Sequence, residues 1–285
     1  MPREVVTDLW AVRACFQSHF RRPIHFIVEE TGGQATGLLP LSWIEETGSY
    51  SFFPGETWEG RTWLEQNHIP GNNPARLIKE IPGPFHLRYL SPLCGAGLGK
   101  LITLDETGYL FLPERYGYDM EKYFQAFSGK SRKQILSGIR RIRDRGLTWR
   151  YDRFEDLDLM IAMNISRFGN RSYFHDRRFR RGFTWMLRYF EDREWLKVTT
   201  ALVDGEVAAV DAGVLFDGSY TLMAGGTNPS FPGIAKVINM RHMERACEEG
   251  FAEVDFLCGD FNWKKMFHLH ERPLYLAADY SVQAA

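Results

Sequence analysis

Cysteine is scarce in this chain: 285 residues contain four, Cys15, Cys94, Cys247 and Cys258, and no two form a C-x-x-C pair. That scatter argues against a zinc cage and against a disulfide framework, and it makes a reduced, cytoplasmic setting the expectation. Long apolar runs are missing too. No stretch approaches the roughly 20 apolar residues that span a bilayer, and the opening Met1-Pro2-Arg3-Glu4 leads into no export-type apolar core. Charge of one sign is also absent, because 35 Lys+Arg against 36 Asp+Glu leave a formal net charge of −1. No chain-wide attraction to nucleic acid follows, DNA is not an expected partner, and any polyanion binding has to come from local basic runs.

Several catalytic signatures are lacking as well. Neither a G-x-S-x-G elbow nor an H-E-x-x-H helix occurs, which removes support for hydrolase and zincin readings. The run from Cys94 to Lys100, CGAGLGK, fits neither G-x-G-x-x-G nor G-x-x-x-x-G-K-[ST] and reads as a flexible interdomain loop. His268-Leu269-His270 has no third ligand in view, so the histidines read as structural and no metal is expected.

What is present is a large apolar supply, 44% hydrophobic residues with eight tryptophans. A chain of this length suits two units better than one, since single cores stop growing near ~250–300 residues. Residues 25–41 read as strand, turn at Gly32-Gly33, strand; residues 197–215 repeat that grammar around Asp204-Gly205. The similarity continues: Gly48 to Thr57, GSYSFFPGET, aligns with Gly218 to Thr227, GSYTLMAGGT, at five identities in ten positions. Each copy is followed by a helical segment and an apolar strand, 85–90 in the first and 253–257 in the second. This predicts a degenerate internal duplication, with repeated hairpin chemistry as the alternative.

Between the copies, 118–127 and 131–145 read as helices. In the second, Ile135, Leu136, Ile139 and Ile142 form one stripe, while Arg132, Lys133, Arg140, Arg141 and Arg143 fall mostly off it. Residues 155–166 and 179–192 are further helix candidates. The expected division is an N-terminal domain over 1–115 and a C-terminal domain over 116–285.

The stretch from Ser219 to Phe267 carries the chemistry. It reads as a strand, a Gly/Pro loop, a helix of some sixteen residues and a short strand ending at Gly259-Asp260. A loop entering a helix N-terminus is an anion site in principle, because the first-turn N–H groups lack intrahelical partners. Pro232-Gly233 sits at that point, and plain turn punctuation is the competing reading.

Two blocks carry a resemblance. Ser128-Gly129-Lys130-Ser131-Arg132-Lys133-Gln134, followed by an Arg-rich helix, looks like an S-x-x-x-R-x-x-I/L opening motif. Val254 to Lys264, VDFLCGDFNWK, is similar to a DFL-x-G-D-x-x-Y-K signature, with Trp263 in the tyrosine position. Both resemble GNAT-fold acyltransferases related to the FemAB group and to the CelD-type acetyltransferases associated with exopolysaccharide synthesis. The likeness covers 115–285 well and the first copy loosely.

The resemblance implies an α/β (α+β) architecture of tandem GNAT-like domains, with mixed, mostly antiparallel sheets, flanking helices and the C-terminal copy the more complete. It implies direct acyl transfer from a thioester to an amine or hydroxyl, with no tightly bound cofactor and acyl-CoA or acyl carrier protein as donor substrate. The donor arm is expected between the strands 219–224 and 253–257, its phosphates on the turn 231–236. The donor-site residues are then Ala224, Gly225, Phe231, Gly233, Ile234, Ala235 and Lys236. Where a GNAT phosphate loop reads Q/R-x-x-G-x-G/A, this turn offers Gly233 and Ala235 after a proline. FemAB-like relatives use an aminoacyl-tRNA donor, so tRNA is the alternative partner, and a non-catalytic GNAT-fold binding protein is the third reading.

Transfer to an amine needs a proton acceptor and a donor to the oxyanion. Asp255 and Asp260 are the candidate carboxylates and Lys264 the nearby cation. Asp255 points opposite to Val254 and Phe256, and it is either a cleft base or a strand-end cap. Asp260 is a base or a helix N-cap, and Lys264 a substrate contact or a solvated lysine. For a small-molecule acceptor, such as an amino sugar or envelope precursor, the candidates are Arg171, Tyr173 and His175 in a basic, aromatic loop, Asp211 within an apolar strand, and Trp263. Asn164 to Arg167 are lesser candidates.

Overall fold

The computed structural model describes residues 5–92, 98–259 and 262–279. Most of the Cys94–Lys100 loop and Asp260 lie outside the described residues. A first series of elements comprises α1 (Trp10–Phe20), β1 (Ile24–Thr31), β2 (Gln34–Ile44), β3 (Ser49–Phe52), α2 (Pro74–Lys79), β4 (His86–Leu90) and β5 (Thr103–Phe111). A middle segment follows with α3 (Met120–Gln125), α4 (Gly129–Arg143), β6 (Thr148–Tyr151) and α5 (Asp156–Phe168). The second series is α6 (Arg177–Glu191), β7 (Leu196–Val203), β8 (Glu206–Phe216), β9 (Ser219–Thr227), α7 (Ile234–Glu249), β10 (Glu253–Asp255), α8 (Asn262–Met266) and β11 (His270–Ala278). Helix, three strands, helix, strand, helical turn, strand thus occurs twice, with a 3-10 turn over Gly99–Leu101 in the slot that α8 fills later.

Local chemistry sets these boundaries. The β1–β2 and β7–β8 turns are carried by Gly32-Gly33 and Asp204-Gly205, all at positive φ (60°, 79°, 53° and 79°), the conformation of a type I′ hairpin turn. The Ser128 hydroxyl accepts the Ser131 N–H to start α4, and the Asp119 carboxylate accepts the Glu121 N–H to start α3. α7 instead begins after Gly233 at φ 94° with no side-chain cap, and it ends at left-handed Gly250.

The chain divides into two compact units that are discontinuous in sequence: residues 1–108, 177–189 and 271–285, and residues 109–176 and 190–270. A single cut at 115/116 therefore separates the two series of elements but not the two units. In the first unit, β1–β2–β3 form an antiparallel sheet, and β4 pairs with β11 from the end of the chain, Tyr275 opposite Leu90. α6 contributes Phe179 and Phe183, packed against Phe16 and Trp63 at ring distances of 5.5 and 5.2 Å. In the second unit the strand order is β5–β10–β9–β8–β7–β6, antiparallel except for β9 and β10. Its core gathers Tyr123, Phe127, Tyr220, Ile238, Met243, Val254 and Phe267. The architecture is mixed α/β with mostly antiparallel sheets and flanking helices, as expected.

A candidate donor-binding and transfer site

The second unit contains an opening between two parallel strands. β9 pairs with β8 along its whole length, but β10 runs beside it for three residues only, Glu253–Asp255 opposite Ser219–Thr221. Beyond Thr221 no strand of the described residues pairs with that edge of β9. The register against β8 also slips there: Ala212 faces Ala224 and Gly213 faces Leu222, so Met223 is an extra residue in a bulge. A bulge leaves backbone groups outside the ladder and re-aims the strand, and such irregularities cluster beside sites.

β10 is turned away by a polar clamp. The Asp255 carboxylate accepts the Leu257 N–H at 2.7 Å, and Leu257 is left-handed at φ 57°. Lys264, only 2% exposed, donates its three ammonium protons to the carbonyls of Phe256, Leu257 and Cys258 at 2.9, 3.0 and 2.7 Å. Its ammonium also lies 5.1 Å from the centre of the Tyr109 ring. A buried ammonium is tolerated when every proton has an acceptor. Neither of the expected roles for Lys264, substrate contact or solvated lysine, describes this placement: the geometry makes it the holder of the strand exit. Asp255 is 1% exposed and shapes the same turn, its strand-end capping role.

On one face of β9 lies α5. Gly226 allows this close approach, since a Cβ there would collide with the Met160 backbone. The Asn164 amide donates to the Gly225 carbonyl at 2.8 Å and accepts the Ser172 hydroxyl at 2.8 Å, while Arg167 donates to the Thr227 hydroxyl at 2.8 Å. Arg171 and His175 are exposed in the turns around buried Ser172.

The opposite face carries α7. Asp211 and His242, 4% and 2% exposed, pair at 3.0 Å, with the Asp211 carboxylate wedged where a Gly225 side chain would otherwise sit. Tyr220 stacks on His242 at 5.1 Å. Burial, and then the Asp211 charge, push its phenol well above the ordinary range. Asp211 is thus a partnered core carboxylate. His242 had only the signal of a polar residue inside the otherwise apolar stripe of α7.

A pocket of about 270 Å³ lies at the start of α7. α4 contributes Gln134, Ser137 and Arg141 to its wall, α7 contributes Gly233 and Lys236, and Met266 and Phe267 close another side. Among the described residues no acidic side chain lines the pocket. The Ile234 and Lys236 N–H groups already bond the Phe231 and Gly233 carbonyls, so the positive environment for an anion comes from the α7 dipole with the Lys236 and Arg141 side chains. Of the expected donor residues, Gly233 and Lys236 line this pocket. Ile234 and Phe231 are core residues, Phe231 beneath the Arg145 guanidinium at 5.2 Å. Ala224 and Gly225 lie on β9 near the bulge. Trp263 packs edge-on against Phe256 and Phe267 at 5.3 and 5.5 Å, which places it in the core rather than in the pocket wall. Among the described residues no His, Cys, Asp and Glu group is arranged to hold a metal.

Residues 129–265 match the family model described as an acetyltransferase (GNAT) domain. Solved structures agree on the fold across nearly the whole chain. The C-terminal domain of a putative lysylphosphatidylglycerol synthetase from Agrobacterium fabrum aligns over 99% of this chain and 91% of its own, with a TM-score of 0.63 and 12% identity. FemX aligns over 94% and 91%, at 0.60 and 9%, and L-PGS from Bacillus licheniformis over 94% and 91%, at 0.58 and 11%. No curated protein sequence matches the chain. The fold is the GNAT fold, and at these identities the structural likeness is one of fold.

Proposed function

We propose that this chain is an acyltransferase that seats a phosphate-bearing donor on the N-terminus of α7 and passes its acyl group to an amine or hydroxyl acceptor beside β9. The observation that carries this reading is the pocket of about 270 Å³, with no acidic lining among the described residues, in which Gly233, Lys236 and Arg141 meet at a helix start without a side-chain cap. The second is the unpaired β9 edge of the same unit: backbone N–H groups around the Met223 bulge have no β10 partner and suit a developing oxyanion. Asp255 and Lys264 enter as positioning residues that hold β10 away from β9. The leading donor is acyl-CoA, the usual thioester for this fold. Thermal stabilisation by acetyl-CoA or a longer acyl-CoA, lost in Lys236→Ala plus Arg141→Ala, supports it; no shift with any acyl-CoA sinks that donor class.

A second reading, aminoacyl transfer from an aminoacyl-tRNA to a lipid or envelope precursor in the FemAB manner, is favoured by one surface. Lys130, Lys133, Arg140 and Arg141 of α4 make no ion pair among the described residues, whereas Arg132 pairs with Glu121 and Arg143 with Glu244. The lysylphosphatidylglycerol synthetase likeness points the same way. Salt-sensitive tRNA binding that weakens in Lys133→Ala plus Arg140→Ala, with any acyl-CoA stabilisation unchanged, separates this donor from acyl-CoA.

A further inference from the structure

The outer edge of β1 in the first unit has no role in the site above. β1 ends the β1–β2–β3 sheet, and no strand of the described residues pairs with its outer side. Ile24, Phe26 and Val28 alternate along it and are 50%, 38% and 47% exposed. Trp10, 55% exposed, meets Phe26 edge-on at 5.6 Å and extends the same apolar surface.

The backbone of these three residues faces the same free edge. Phe26 lies opposite Pro40, which has no N–H and whose carbonyl accepts from Phe53 on the β3 side. In an antiparallel pair, opposed residues exchange both hydrogen bonds or neither. Phe26 therefore directs its N–H and C=O away from β2. Two neighbours confirm the phase. The Leu38 N–H, opposite Val28, goes to Pro70, whereas Pro23, one residue before Ile24, accepts from Trp43. Ile24, Phe26 and Val28 thus present unpaired donors and acceptors together with exposed apolar side chains.

We infer that β1 pairs with β1 of a second copy of this chain, antiparallel about a two-fold axis at Phe26. In that register Phe26 faces its own counterpart, and Ile24 faces Val28 of the other chain on both sides of the axis. All three outward residues then exchange hydrogen bonds, and all three cross-strand side-chain pairs are apolar. Charge agrees, because exposed Arg21 precedes the strand and exposed Glu30 lies next to its last residue, so antiparallel pairing sets the basic end of one copy beside the acidic end of the other. The contact is isologous and closes on itself as a dimer, and a long apolar edge is used where a monomer would protect it.

Sedimentation velocity on the full chain across a concentration series tests this. The expected result is a species with the mass of two chains. Phe26→Lys, which sets two ammonium groups face to face, should raise the dissociation constant by at least about a hundredfold while leaving the far-ultraviolet circular dichroism of the monomer unchanged, and the more exposed Val28→Lys should weaken the dimer in the same direction. Phe26→Cys should cross-link into a dimer with a short bis-maleimide, and a Glu30→Cys chain should do so far less. A wild-type chain that stays monomeric up to high micromolar concentration overturns the inference. So does a dimer that survives both Phe26→Lys and Val28→Lys, and so does a wild-type monomer whose β1 surface binds anionic vesicles instead.

Discussion

The two series of elements share an order yet treat the gap after their third strand in opposite ways. In the first, β3 and β4 meet at the Tyr50–Phe85 bridge and then separate, and the chain fills the space between them itself. Asn67 runs parallel beside Leu90, its N–H on the Tyr89 carbonyl at 2.8 Å and its carbonyl accepting from Ser91 at 3.0 Å. Buried Arg13 locks that insert by donating to the Thr7 and Phe53 carbonyls and to the Asn67 amide oxygen. Buried Glu56 accepts the Thr62 hydroxyl and the Trp63 and Leu64 N–H groups. About 10 Å³ remains. In the second series β9 has nine residues against four in β3, α7 has sixteen against six in α2, and a pocket of about 270 Å³ lies at the start of α7. The shared order makes a scaffold; a long strand left unpaired and a long helix left uncapped make a site.

Breaking the plug is the largest test of this contrast. Arg13→Met removes a guanidinium whose pKa burial already lowers, and it strands the Glu56 charge together with three acceptors. Loss of one partner of such a buried network costs about 3–5 kcal/mol, to be read from urea unfolding, with donor affinity unchanged in chains that remain folded. In the second unit the counterpart is Lys264→Met, which takes the ammonium from the Phe256, Leu257 and Cys258 carbonyls, of which Leu257 keeps the Tyr109 N–H. About 3 kcal/mol of stability should go, and with it at least about tenfold in transfer rate, because a loosened β10 exit no longer holds the opening. Retained rate at reduced stability would confine Lys264 to folding alone.

Two smaller changes sharpen the comparison without breaking either unit. Gly226→Val drives a side chain into the Met160 backbone and should cost about 1–3 kcal/mol as α5 is displaced, measured as a lowered thermal midpoint. Lys236→Ala and Arg141→Ala should each weaken a phosphate-bearing donor by about tenfold, near 1.4 kcal/mol, with no change in midpoint. Calorimetric titration reads the difference, and equal donor binding in both variants removes the pocket from the mechanism.

Much of the scaffold could be read from residue patterns. Gly32-Gly33 and Asp204-Gly205 announced hairpins because two consecutive positive φ values need such residues. The Gly48–Thr57 and Gly218–Thr227 match marked the repeated order, and the α4 stripe of Ile135, Ile139 and Ile142 set its buried face. Partners were harder. The apolar runs of β5 and β11 identify strands but not their neighbours, so the discontinuous units could not be seen. Lys264 donates to backbone carbonyls, which every residue type supplies, so no pattern distinguishes it from a surface lysine. His242 and Asp211 lie 31 residues apart and meet only through the packing of α7 on β8. The insertion of Asn67 beside β4 has no local signature at all.

The smallest expected effect concerns how the filled gap in the first unit responds to acid. His68, one residue beyond Asn67, pairs with Asp8 at 2.9 Å and so ties the insert to the start of the chain. Burial pushes the Asp8 carboxyl up, but the hydrogen bond and charge of His68, with help from the Val5 N–H and Arg13, outweigh it and hold the carboxyl below its ordinary value. An acid whose folded pKa is depressed binds fewer protons folded than unfolded. Its contribution is therefore complete above the unfolded carboxylate range near ~4 and is lost as pH falls through the folded value. Asp8→Asn should accordingly lower stability slightly at neutral pH and flatten the decline in urea midpoint below about pH 4. An unchanged acid slope in Asp8→Asn would mean that the insert is held by Arg13 and Glu56 without this outer pair.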